Sequence, residues 1–160
     1  MLTSAQKLLV KNDILNTPAL NAFPNNPDGA FEIAAAYNAL ASPAYTVWKT
    51  RVTIGEVGKK FNGTELAGLS TLNNTRLQTL AVFLVDGVNP SLPDNRQFFD
   101  DIFSGAGGVT TRANLLALWK RLASRIEKLL ATGTGSDASP AILGFEGTIS
   151  YNDVHDARNS

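Results

Sequence analysis

The sequence predicts a mainly α protein: a compact helical domain of about five helices over residues 1–131, followed by a Gly/Thr/Ser linker and an extended C-terminal arm or short β-hairpin over 132–160. Three observations predict it. Between Thr110 and Ala131, Leu115, Leu118, Trp119, Leu122, Ile126 and Leu129 recur at three- and four-residue steps. That spacing gathers them on one stripe of a helix, with Lys120, Arg121, Arg125 and Lys128 opposite. Other apolar stretches are opened by capping residues and closed by glycine or proline. After Ala131 the composition changes to Thr132-Gly133-Thr134-Gly135-Ser136-Asp137-Ala138-Ser139-Pro140, which offers little to bury.

The elements follow in order. Thr3-Ser4-Ala5-Gln6 is a capping box that opens a first helix ending near Asn16, with Leu8, Leu9, Ile14 and Leu15 as its apolar residues. Pro18, Pro24, Pro27 and Gly29 make a turn-rich loop. Ala30 to Ala41 is a second helix with Asn26 or Asp28 as its cap, stopped before Pro43. Ser42 to Val52 suits a short helix or, through its β-branched residues, a strand, and the helix is preferred. Thr53 to Glu56 repeats the capping-box pattern, and Asn62-Gly63 reads as a turn. Leu72, Leu77, Leu80, Phe83 and Leu84 mark a buried helix from about Ser70 to Asp86, and Asp94 to Ser104 another with Phe98, Phe99, Ile102 and Phe103. Gly105 to Gly108 is a joint into the central 110–131 helix. Ile142, Leu143, Phe145, Ile149 and Tyr151 around Glu146-Gly147 suit a hairpin.

The totals bound the functional classes. The 160 residues hold no cysteine, which excludes disulfides, thiolate metal sites and thiol nucleophiles. Fourteen basic residues balance fourteen acidic ones, so no global field draws the chain to nucleic acid or anionic lipid. The start lacks the pattern of a signal peptide, and the longest apolar run, Leu80 to Val85, is far below the roughly 20 residues of a membrane span.

Site chemistry is sparse. Gly133-Thr134-Gly135-Ser136 has neither the lysine nor the preceding strand of a phosphate loop. His155 stands alone in a polar tail, Asp100 and Asp101 diverge by about 100° on a helix, and no serine has a credible base. No enzyme, cofactor or metal is expected. Two groups are candidates for interaction: the basic face Lys120, Arg121, Arg125 and Lys128, suited to phosphates or an acidic protein surface, and the apolar arm residues Ile142, Leu143, Phe145, Ile149 and Tyr151, suited to a neighbour's sheet edge.

Two blocks resemble a known family: Ala41-Ser42-Pro43-Ala44-Tyr45-Thr46-Val47-Trp48-Lys49-Thr50, and Ser124 through Pro140 continuing over Gly144-Phe145-Glu146-Gly147-Thr148-Ile149-Ser150-Tyr151-Asn152-Asp153-Val154. They look like small proteins encoded among the virion structural genes of tailed bacteriophages and prophages. The likeness extends to the start and tail, whereas the middle, Asn62 to Gly108, matches less well. It implies a virion protein made in the bacterial host cytoplasm. The leading expectation is a neck subunit, a head-to-tail adaptor or connector that forms a homo-oligomeric ring between portal and tail, without membrane and with at most a passing contact to packaged DNA. The alternatives are another tail or head-completion component, or a small DNA-binding or regulatory helical module.

Overall fold

The computed structural model describes residues 1–83 and 86–160, with the backbone alone over 80–83. In chain order its elements are α1 (Ser4–Asn16), α2 (Pro18–Asn21), α3 (Pro27–Asn38), β1 (Thr46–Trp48), α4 (Ile54–Gly58), α5 (Gly63–Ala67), α6 (Thr71–Phe83) and α7 (Pro93–Ile102). A 3-10 turn (Ala106–Gly108), α8 (Val109–Trp119), β2 (Lys120–Leu122), α9 (Arg125–Leu130) and α10 (Tyr151–Arg158) complete it. The chain is mainly α, as the sequence predicts, and β1 and β2 form its one two-stranded antiparallel sheet among the described residues. It divides into two units. The first joins Met1–Val47 to Leu122–Ser160, and the second is the intervening Trp48–Arg121. This division replaces the expected 1–131 domain and 132–160 arm.

In the first unit α1 begins where its capping box places it: the Thr3 hydroxyl accepts the Gln6 amide, and the Gln6 side chain accepts the Thr3 amide. Asn26 caps α3 by accepting the Gly29 amide at 2.9 Å. α2 lies in the stretch expected to be loop, opened by Pro18, whose fixed φ suits a first helical turn. Val10 and Ile14 of α1, Ile33 and Tyr37 of α3, Ile126 of α9 and Val154 and Ala157 of α10 form one buried cluster. α10 packs on both α1 and α3.

The C-terminal stretch is therefore part of this core and not an extended arm or hairpin. Ser150 and Asp153 form a capping box that opens α10, and Val154 and Ala157, three residues apart, face inward. The 132–140 stretch is also fixed. Thr132 and Ile142 exchange backbone hydrogen bonds of 2.9 Å, and the Thr46 amide donates to the Gly135 carbonyl at 2.7 Å. Gly135 has φ +67°, and a Cβ there would stand 2.1 Å from the Tyr45 ring, so glycine is required twice over.

Residues 42–52 hold a strand, not the preferred helix. Val47 is completely buried with Ala123 and Ala141, and the Tyr45 carbonyl accepts the Ala123 amide at 2.9 Å. Distant backbone satisfies the groups that a helix would satisfy internally, and β-branched Thr46 and Val47 fit that extended form. The same pairing divides the expected 110–131 helix. Helical backbone stops at Trp119, Lys120–Leu122 is strand, and a new helix starts at Ser124, whose hydroxyl accepts the Glu127 amide while Glu127 accepts the Ser124 amide. Leu122, expected in the packing stripe, is 49% exposed.

In the second unit Val52, Val57, Val88, Phe99, Ile102, Phe103, Leu115 and Trp119 make the core, with the Phe99 and Trp119 rings 5.5 Å apart edge to face. Thr53 and Glu56 cap α4 as the sequence indicates. Asn62 does not end in a turn but caps α5, and Gly105 leads into a 3-10 turn and not a free joint. α6 covers most of its expected span, yet Leu72 is 60% exposed; the expected burial of Leu80, Phe83 and Leu84 lies outside the described residues.

α8 has no cap of its own. Glu65 of α5 supplies one, its carboxylate accepting the Thr110 amide at 2.8 Å and the Thr111 amide at 2.7 Å. Partial desolvation pushes this carboxyl up, but the Thr111 and Thr110 donors outweigh it and hold its pKa at about 2, against an ordinary 4.5. A depressed carboxylate stabilises fully above its unfolded pKa and loses that contribution as pH falls through the folded one. The stability gap between the wild type and Glu65→Gln should therefore be constant above about pH 5 and close between pH 4.5 and 2. Denaturant titrations across that range check it; a gap independent of pH would show that Glu65 acts as a neutral acceptor only.

Candidate functional site

The structure disperses the two groups of residues that the sequence marks for interaction. Lys120 and Arg121 are half-buried on β2 in the second unit, whereas Arg125 and Lys128 lie on α9 in the first. The helix that would have aligned all four does not exist as one element. Of the apolar group, Ile149 is buried in the first unit's core, Phe145 packs half-buried against that core, and Leu143 packs on the Val47–Ala123–Ala141 cluster. Only Ile142 and Tyr151 remain about half exposed. His155, placed by the sequence in a polar tail, is exposed on α10. Among the described residues no group of three acidic, histidine or cysteine side chains could hold a metal ion.

Arg125 and Lys128 instead line a cavity of about 380 Å³ in the first unit, together with Asp13, Leu40, Ser42 and Leu129. Being three apart on α9, they share a side of that helix. Arg125 donates to the Asp13 carboxylate at 3.0 Å and to the Thr17 hydroxyl at 3.1 Å, and its guanidinium lies 5.4 Å over the Tyr37 ring. The Tyr37 hydroxyl donates to Asp13 at 2.8 Å. Burial, reinforced by that carboxylate, pushes the Tyr37 hydroxyl well above its ordinary pKa and keeps it a donor. This cluster ties α1, α3 and α9 together. Lys128 extends over the Tyr45 ring at 5.6 Å.

The second unit holds a larger cleft, of about 600 Å³, which no reading of the sequence singles out. Its polar groups are Arg96 and Asp100 on α7 and Arg112 on α8; its apolar walls include Trp48, Val109 and Leu116. The Arg96 guanidinium lies 4.1 Å from the Trp48 ring centre and donates to the Pro90 carbonyl. Arg112 donates to the carbonyls of Phe103 and Gly105. Desolvation lowers the pKa of Arg96 and raises that of Asp100, the latter against the pull of Arg112. Residues 16 positions apart on two helices give no periodic signal in the sequence. The only legible hint is the i, i+3, i+4, i+7 spacing of Val109, Arg112, Ala113 and Leu116.

Of the blocks that carry the family resemblance, residues 41–47 and the whole of the second block lie in the first unit, and Trp48 to Thr50 lie in the second. The Thr46 amide of the first block donates to the Gly135 carbonyl of the second at 2.7 Å, and at the borders of the blocks Ala41 donates to Ala123, Arg125 to Ala39 and Ala141 to Thr46. The Tyr45 hydroxyl donates to the Gly133 carbonyl at 2.8 Å. Residues 62–108, where the likeness fades, lie wholly in the second unit. No family model, curated protein or solved structure matches the chain.

Proposed function

We propose that this chain is a structural protein of a tailed-bacteriophage virion, a neck subunit that assembles as a ring between portal and tail. One observation supports this reading above the others: the two sequence blocks that resemble that family, over 70 residues apart at their nearest ends, are joined within the first unit by hydrogen bonds from Tyr45 to Gly133 and from Thr46 to Gly135. Segments that resemble one family and also fold against each other belong to one folded body. The weaker-matching middle lies within the second unit, the natural place for contacts particular to one phage. The reading as a DNA-binding module loses the four-cation helix face on which it rested, since Arg125 is already paired with Asp13.

The experiment is deletion of the gene in the phage or prophage that encodes it, with complementation by the intact protein. Filled heads and separate tails that fail to join are the expected products, and negative-stain images should show the complementing protein at the junction. Infectious, fully tailed particles without it would overturn the proposal.

A further inference from the structure

We infer that the cleft of the second unit is a docking site for a carboxylate-bearing segment of a partner protein, an acidic side chain flanked by apolar residues. The inference does not depend on which assembly the chain joins. Its first ground is the division of α8 into two faces. Thr111, Leu115 and Trp119 are buried in the unit's core, while Val109 and Leu116 on the cleft side remain 53% and 44% exposed. An apolar wall is thus left for something else to cover.

The second ground is the state of the two arginines. Among the described residues neither Arg96 nor Arg112 forms an ion pair, and every hydrogen bond they make goes to a neutral carbonyl. Asp100 acts on both only through its field. Stacking on Trp48 and the clamp from Phe103 and Gly105 hold the two guanidinium groups in place before any ligand arrives. A carboxylate entering the cleft would therefore meet fixed, planar donors with little side-chain entropy left to lose, the condition under which charge-assisted pairs contribute most.

Charge also selects among anions. Asp100 of α7 lines the cleft, and the same helix exposes Asp94 and Asp101. A nucleic-acid backbone would have to carry a row of phosphates past them, whereas a single carboxylate needs only the two guanidinium groups. Trp48 is unsuited to stacking a base on the face that Arg96 occupies.

The test uses the full chain and two blocked peptides, acetyl-Leu-Glu-Leu-amide and acetyl-Leu-Gln-Leu-amide, with arginine Nε and backbone resonances as the readout. The glutamate peptide should shift Arg96 and Arg112 saturably and bind at least about tenfold more tightly than the glutamine peptide, a difference worth about 1.4 kcal/mol. Leu116→Glu, on the exposed face of α8, should melt like the wild type and weaken the glutamate peptide by about tenfold through repulsion. Equal binding of the two peptides, no saturable shift at about 10 mM peptide, or an unaffected Leu116→Glu would overturn the inference. So would an oligothymidylate that shifts the same resonances at lower concentration.

Discussion

Removal of residues 151–160 should unfold the first unit. α10 inserts Val154 and Ala157, both fully buried, between α1 and α3, so its loss uncovers Val10, Ile14 and Ile33 together. Burial of a valine side chain alone contributes roughly 1.5–3 kcal/mol. The truncation also deletes the Lys7–Asp156 ion pair and the two donations from Arg158 to the Phe23 and Pro24 carbonyls. The combined loss is on the order of 5 kcal/mol, comparable to the whole stability of a small domain. Hydrogen exchange on the truncated chain should show α1 and α3 unprotected. Persisting protection there would mean that α10 is an accessory to the unit and not part of its core.

The second large effect is expected at Trp119. Its side chain is 2% exposed against Phe99 and Leu115, and its indole N–H meets no acceptor among the described residues, so truncation strands no partner. Trp119→Ala should cost roughly 3–5 kcal/mol through lost burial and the cavity left behind. Leu122→Ala, three residues along and half exposed, should change stability by no more than about 0.5 kcal/mol. Denaturant midpoints of the two variants check the contrast; similar losses would restore the continuous packing stripe that the sequence suggests.

That contrast shows where sequence reasoning holds and where it stops. Caps written in adjacent residues were legible, at Thr3–Gln6, Asn26 and Thr53–Glu56, because the interaction closes within one turn. The long helix is not there although Leu118, Trp119, Leu122 and Ile126 keep helical spacing, because pairing with β1 makes residues 120–122 extended. Propensity and period cannot register a partner about 75 residues away. Ser124-x-x-Glu127 and Ser150-x-x-Asp153 are local signals of the same kind, and each opens a helix inside a stretch whose periodicity or composition points elsewhere. Arg96 and Arg112 carry no such signal, since only tertiary structure gives them a common cleft.

The two strand junctions bear on the order in which the chain folds. The Trp119 carbonyl accepts the Lys49 amide at 2.8 Å, so the ends of the second unit are adjacent, and the Ala123 amide meets the Tyr45 carbonyl within the first. For an unfolded chain, joining Tyr45 to Ala123 means closing a loop of roughly 75 residues, whose entropy cost grows as (3/2)RT ln n. With the second unit already formed, the same closure spans only a few free residues, a saving of about 2–3 kcal/mol. Folding is thereby biased to proceed from the inside outward. Kinetically, the second unit is expected to act as a splint for the first, so that damage to its core slows the pairing of Tyr45 with Ala123.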